Sequence, residues 1–169
     1  QQTALAVSIF GPGELVGGLA AGLIGDRFGR IKSLMLSALV IVVMALTTAV
    51  APTAAALIAC RFGAGIGAGL SFVAHIAWAS DIAPVGRSGS LTSCFELAVC
   101  GGFLATFAVF ASDAIKWRGL FLLPAAPALL EFILLMRAPE SAPWSLVVKG
   151  EEAAKAAHTD LYERWASTM

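Results

Sequence analysis

Four ionisable side chains stand inside long apolar runs of this chain: Glu14, Arg61, His75 and Glu96. Groups of these types in an apolar setting can carry a proton, pair with one another, or hydrogen-bond a small polar solute. No nucleophile–base pair, metal-ligand cluster or phosphate-cradling glycine loop accompanies them in the sequence, so an enzyme is not expected. No metal or cofactor is called for either.

A denser feature is Gly22-Leu-Ile-Gly-Asp-Arg-Phe-Gly-Arg-Ile-Lys32, which places Asp26, Arg27, Arg30 and Lys32 between two apolar runs. Charges so closely set belong at a water interface. Gly25 and Gly29 would let the backbone turn tightly there, where a Cβ would clash.

The elements that must position these groups follow from composition. The 169 residues are 59% hydrophobic and only 13% charged, whereas soluble domains carry about 25% charged residues. This chain is built for lipid, which is its first expected partner. A hydrocarbon core is crossed by roughly 20 apolar residues as a helix, because no water there can satisfy backbone groups. Five such spans are expected, at 3–24, 33–51, 54–79, 89–111 and 120–136. Short connections make neighbours antiparallel, giving an all-α, polytopic transmembrane helix bundle. Zero net charge offers no argument for nucleic acid. Cys60, Cys94 and Cys100 show no Cys-x-x-Cys spacing and are expected as small packing residues.

Lysine and arginine placement sets the orientation. Arg27, Arg30, Lys32, Arg87, Arg137, Lys149, Lys155 and Arg164 fall on one side, against Lys116 and Arg118 on the other. The first side is expected to be cytoplasmic, covering 25–32, 80–89 and 137–169 of a multi-pass plasma-membrane protein. Gln1 then lies outside, which suggests a preceding span and a chain that is part of something longer.

Within the spans, Gly18 and Gly22 form a small-x-x-x-small face for close helix approach. Glu14 lies one turn before Gly18 and about 18 Å from Asp26, well inside the bilayer. It is either a pathway acid or a structural partner for another helix. The second span has no ionisable residue beyond its start and is expected to be peripheral and lipid-facing. Arg61 and His75, fourteen residues apart, share a face with Gly65 and Phe72. Arg61 should face a wet cavity or an acid. His75 is expected as a neutral imidazole bonded to a neighbouring helix, with a place on a proton pathway as the alternative. Glu131, under two turns from the end of the fifth span, reads as a snorkelling acid. Residues 150–165 read as a surface helix supported by a Glu151–Lys155 pair.

The run Gly22-x-x-x-Asp26-Arg27-x-Gly29-Arg30-x-Lys32 resembles the signature joining the second and third transmembrane helices of the major facilitator superfamily. The third span resembles the fourth helix of its sugar-porter branch, through Arg61-x-x-x-Gly65-x-x-x-Gly69 and Trp78-x-Ser80-Asp81-Ile-Ala-Pro84. Trp78 stands for the branch's Tyr and Asp81 for its Glu. Arg87 stands one position before the place of the expected Arg. Glu96 occupies the position of a sugar-contacting Gln, where an acid still accepts hydroxyl hydrogen bonds and adds a titratable proton. Trp117-Arg118, Pro127-Ala-Leu-Leu130, Pro139-Glu140-Ser141 and Trp144 follow in the branch's order. Its Pro-Arg after Pro-Glu-Ser is Ala142-Pro143 here, so Glu140 lacks the adjacent Arg.

The resemblance implies helices two to six of a twelve-helix secondary transporter. Residues 1–137 would belong to the N-terminal transmembrane half and 138–169 to the start of a cytoplasmic linker. It implies a small-molecule substrate, a sugar or an organic acid, moved by alternating access with proton symport. Gly22, Asp26, Arg27, Gly29, Arg30, Lys32, Asp81, Arg87 and Glu140 would form a cytoplasmic gate against a C-terminal half absent from this chain. Glu14, Arg61, His75 and Glu96 would line the substrate or proton pathway. The competing expectation is a non-transporting membrane sensor or a truncated, inactive product.

Overall fold

The structure, a computed structural model, describes residues 5, 8–83, 88–112, 117–152, 155 and 159. Seven helices follow one another: α1 (Phe10–Phe28), α2 (Arg30–Val50), α3 (Ala54–Ile82), α4 (Ser88–Ala111), α5 (Trp117–Leu120), α6 (Ala125–Leu135) and α7 (Ala142–Lys149). Among the described residues no strand occurs. Helices α2, α3, α4 and the segment Arg118–Leu135 are long and apolar enough to cross a membrane. Helix α1 has 19 residues but carries Glu14, Asp26 and Arg27. The chain is a polytopic helical membrane bundle.

Two connections are tighter or more broken than the sequence suggests. Helix α1 runs through Asp26 and Arg27, and Gly29 alone separates it from α2, with φ 106° and ψ 157°. Gly25 is helical. It is buried, and a Cβ there would crowd Arg30 Nη1, 2.9 Å away. The expected fifth span is divided into α5 and α6 by consecutive i→i−3 bonds, Leu122 N–H to Gly119 O and Leu123 N–H to Leu120 O. Pro124, which has no N–H to donate, then starts α6.

Helix α3 is the axis of the bundle. Gly65 and Gly69 face α1, where a Cβ would overlap the carbonyl oxygens of Phe10 and Glu14. Gly63 and Gly67 face α2, against Met44, Val40 and Ile41. Glycines two apart on a helix lie about 200° apart in projection, so one glycine-rich run serves two neighbours. On α1 the matching stripe is Gly13, Gly17, Ala21 and Gly25. A Cβ at Gly13 or Gly17 would overlap the carbonyl of Phe62 or Ile66. The expected Gly18–Gly22 face is less closely packed: a Cβ at Gly18 would meet Val73 Cγ2 at 3.6 Å and Gly69 O at 4.0 Å, and Gly22 has open space beside it.

The second span is also not simply peripheral. Leu34, Ser33, Ser37 and Ala38 of α2 are fully buried, between α3 and α6. Small side chains at helical spacing let two helices settle on that face. Only its opposite face, with Leu39, Leu46 and Val50, is exposed as a lipid-contacting surface would be. Helix α4 differs entirely, for it has no buried residue and exposes Leu97, Phe103, Leu104 and Phe107. Cys94 and Cys100 are exposed on it rather than packed, while Cys60 of α3 is half-buried.

Candidate functional site

The polar residues gather at one end of the bundle, where the C-termini of α1 and α3 meet the N-termini of α2 and α7. Glu140 reaches this end just before α7. Its Oε1 accepts from the backbone N–H groups of Arg30 at 2.9 Å, Ile31 at 3.2 Å and Ser141 at 3.0 Å. The carboxylate thus caps the start of α2, where free N–H groups and the helix dipole favour a negative charge. Its other oxygen lies against Gly29, where a Cβ would overlap it. Gly29 is therefore required twice, by its positive φ and by the approach of Glu140. With Ala142-Pro143 in place of the branch's Pro-Arg, Glu140 makes this backbone cap.

Arg30 joins two other helices. Its Nη1 pairs with Asp26 Oδ1 at 2.7 Å and its Nε lies 3.4 Å from Asp81 Oδ2. Ser141 Oγ donates to the same Asp81 oxygen at 2.7 Å and accepts from Trp144 N–H at 3.2 Å, capping α7. Trp144 Nε1 donates to the carbonyl of Asp26 at 2.8 Å. Asp26 itself is largely exposed, and so are Arg27 and Lys32. Arg27 lies over the Phe28 ring at 5.6 Å. Arg87 lies outside the described residues.

The four groups expected to line a pathway are spread over α1, α3 and α4 instead of converging. The Arg61 guanidinium lies between the Phe10 and Phe121 rings, 4.7 and 5.3 Å from their centroids, a cation–π sandwich with no ion pair to it among the described residues. Glu14 is exposed on α1, at a cleft of about 370 Å³ that Gly18, Gly69 and Phe72 also line. Glu96 is exposed on α4. His75 Nε2 stands 3.2 Å from Glu131 Oε1. That is an ion-pair distance without hydrogen-bond alignment, and this buried oxygen has no hydrogen bond among the described residues. Glu131 is therefore turned inward against His75 rather than outward to the lipid headgroups. Phe72 and His75 both touch Phe95 of α4, at 5.9 and 4.9 Å between ring centroids.

Residue-by-residue reading gave Ser141 no role and took Glu131 for a snorkelling acid. Ser141 had a local signal, a Ser two residues before a Pro at the start of a helix. Glu131 had none, since its partner is 56 positions away in the chain.

A bundle of membrane-crossing helices that ends in a charged, interlocked turn defines the class: a multi-pass membrane protein with the major-facilitator fold. The sequence profile described as "Sugar (and other) transporter" matches residues 1–166, so the chain belongs to the sugar transporter family. The glucose transporter GlcP of Staphylococcus epidermidis is 34% identical over 146 residues, covering 85% of this chain and 32% of that protein. The arabinose-proton symporter of Bacillus subtilis is 31% identical over 150 residues, covering 83% and 32%. A partially occluded, inward-open structure of the xylose transporter XylE from E. coli superposes with a TM-score of 0.88 at 24% identity. It covers 99% of this chain and 46% of that one. The chain thus spans about a third of the length of these relatives.

Proposed function

We propose that this chain contributes part of one half of a secondary transporter that moves a small polar metabolite, a sugar or an organic acid, by proton symport and alternating access. Such proteins rock two helical halves about a site near the midplane, opening it to one side at a time. The observation that carries the reading is the polar end. There Arg30, Asp81, Glu140 and Ser141 lock four helix ends together, while Asp26, Arg27 and Lys32 face outward from that rigid base. Outward-facing charges on a fixed platform suit a latch that closes against a second half at the cytoplasmic face. Asp26 would meet the positive N-terminal end of a helix there, and Arg27 a carboxylate. Family membership and the names of the relatives support a carbohydrate-like solute and a coupling proton. Transport, not catalysis, is the function, and the plasma membrane is the site.

Glu96 and Glu14 are the acids proposed to meet solute or proton, since both are exposed on the bundle surface. The latch is tested by Asp26→Asn in the complete protein, with uptake measured in vesicles. Uptake is expected to fall while membrane insertion stays normal. Unchanged uptake would remove the latch.

A further inference from the structure

Helices α3 and α6 both rest on α2, yet their backbones barely approach each other. Leu34 of α2, Ala74 of α3 and Leu135 of α6 form a common floor. Above it lies a cleft of about 380 Å³, lined by His75 and Trp78 on one side and Leu130, Glu131 and Leu134 on the other. His75 and Glu131 span that cleft.

Hydrogen-bond roles fix how many protons the pair holds. His75 Nδ1 lies 2.8 Å from the Ser71 carbonyl oxygen, which can only accept. Ser71 Oγ stands slightly further off, at 3.1 Å. Nδ1 therefore carries a hydrogen. In a neutral imidazole Nε2 then presents a lone pair, and at 3.2 Å it would oppose the lone pairs of Glu131. The contact is attractive only with one more proton, on Nε2 or on the carboxyl oxygen. With that proton the pair has no net charge. Without it, one negative charge is left between apolar helices.

The surroundings leave this proton to these two residues. Phe95 of α4 stacks on the imidazole with 17° between the planes. Helix α2 presents Leu34 and Met35 to the same floor. The Glu96 side chain, next to Phe95, is exposed, and α1 meets α3 at Gly65 and Gly69. Asp81 lies about 9 Å further along α3, where Arg30, and Ser141 just before α7, already engage it.

We propose that His75 and Glu131 form a proton-binding site that ties α3 to α6 when occupied and lets them part when empty. Release to water leaves two sets of lone pairs opposed across the cleft, and uptake restores the attraction. The site rests on the transporter reading and deepens it. Protonation would bias the bundle through the α3–α6 separation, without contact between this proton and the solute.

The test uses the complete protein, purified into liposomes without solute, and infrared difference spectra between acidic and alkaline buffer. The wild-type difference spectrum is expected to contain imidazole or carboxyl bands of the pair that drop out in Glu131→Gln and His75→Gln, over the bands of exposed acids that all three proteins share. Glu131→Gln is the sharper variant, because its amide N–H can donate to Nε2 and keep the bridge with no proton to lose. Its melting temperature should stay at the wild-type value, so loss of the bands cannot be ascribed to misfolding. In uptake assays its pH dependence should flatten to within about twofold over a range where one titrating group allows about tenfold per pH unit. Bands that persist in Glu131→Gln, or a wild-type pH profile in that variant, overturn the site. Absence of uptake by the wild type would instead sink the transporter reading, and the spectra would still decide the pair.

Discussion

Helix α3 meets its neighbours in two different ways. Toward α1 and α2 it presents glycines, and main chain lies directly against main chain or side-chain stems. Toward α4 and α6 it presents Phe72, His75 and Trp78, and side chains reach across a gap. In lipid, burying apolar surface does not drive helices together, so association depends on van der Waals contact and interhelical hydrogen bonds. The glycine flank uses mainly the first, with Arg61 over the Phe10 ring and the Arg30–Asp81 pair as its charged contacts. The other flank depends on ring contacts and one ion pair. Helices α1, α2 and α3 should therefore move as a unit, while α4 and α6 can shift against them.

The largest effect should come from breaking the glycine flank. Gly17→Val would drive Cβ into the Ile66 carbonyl. A clash of side chain with backbone costs more than about 4 kcal/mol, and size-exclusion chromatography should recover no monodisperse protein. Recovery of a normal monomer would show that this seam is as adjustable as the other. Next comes Glu140→Ala, which strips three backbone N–H groups of their shared acceptor. A loss of about 2–3 kcal/mol is expected, read as a lowered melting temperature of the purified protein. Ser141→Ala removes the cap of α7 and one bond to Asp81. It should cost about 1 kcal/mol in the same measurement, and less than Glu140→Ala. The smallest effect is for Gly22→Ala, where nothing lies within reach of a new Cβ. Helix propensity alone should stabilise it by about 0.5–1 kcal/mol. Lost uptake in this well-folded variant would mean that the open face of α1 closes against a second half during transport.

Glycine spacing shows why this contrast was only half legible beforehand. Both possible stripes on α1 were visible, and Gly18 with Gly22 fits the small-x-x-x-small pattern as well as Gly13 with Gly17 does. In a soluble helix the polar face would have told them apart. A membrane helix is apolar all round, so the pattern does not say which face turns inward. Glu131 was misjudged for a related reason. Its distance from the helix end suits snorkelling, and only the rotation of α6 on α2 turns it toward His75.

Hydropathy and charge placement by themselves determined that these segments cross a bilayer and that a charged turn lies at one end. Each follows from solvent: spans must be about as long as the hydrocarbon core is thick, and closely set charges must reach water. The tertiary structure alone decided that Glu140 caps the start of α2, that the second span carries the core, and that an imidazole and a carboxylate meet across a cleft. Those outcomes depend on how each helix is rotated about its axis and which neighbour it meets, and no residue's local surroundings in the chain contain that information.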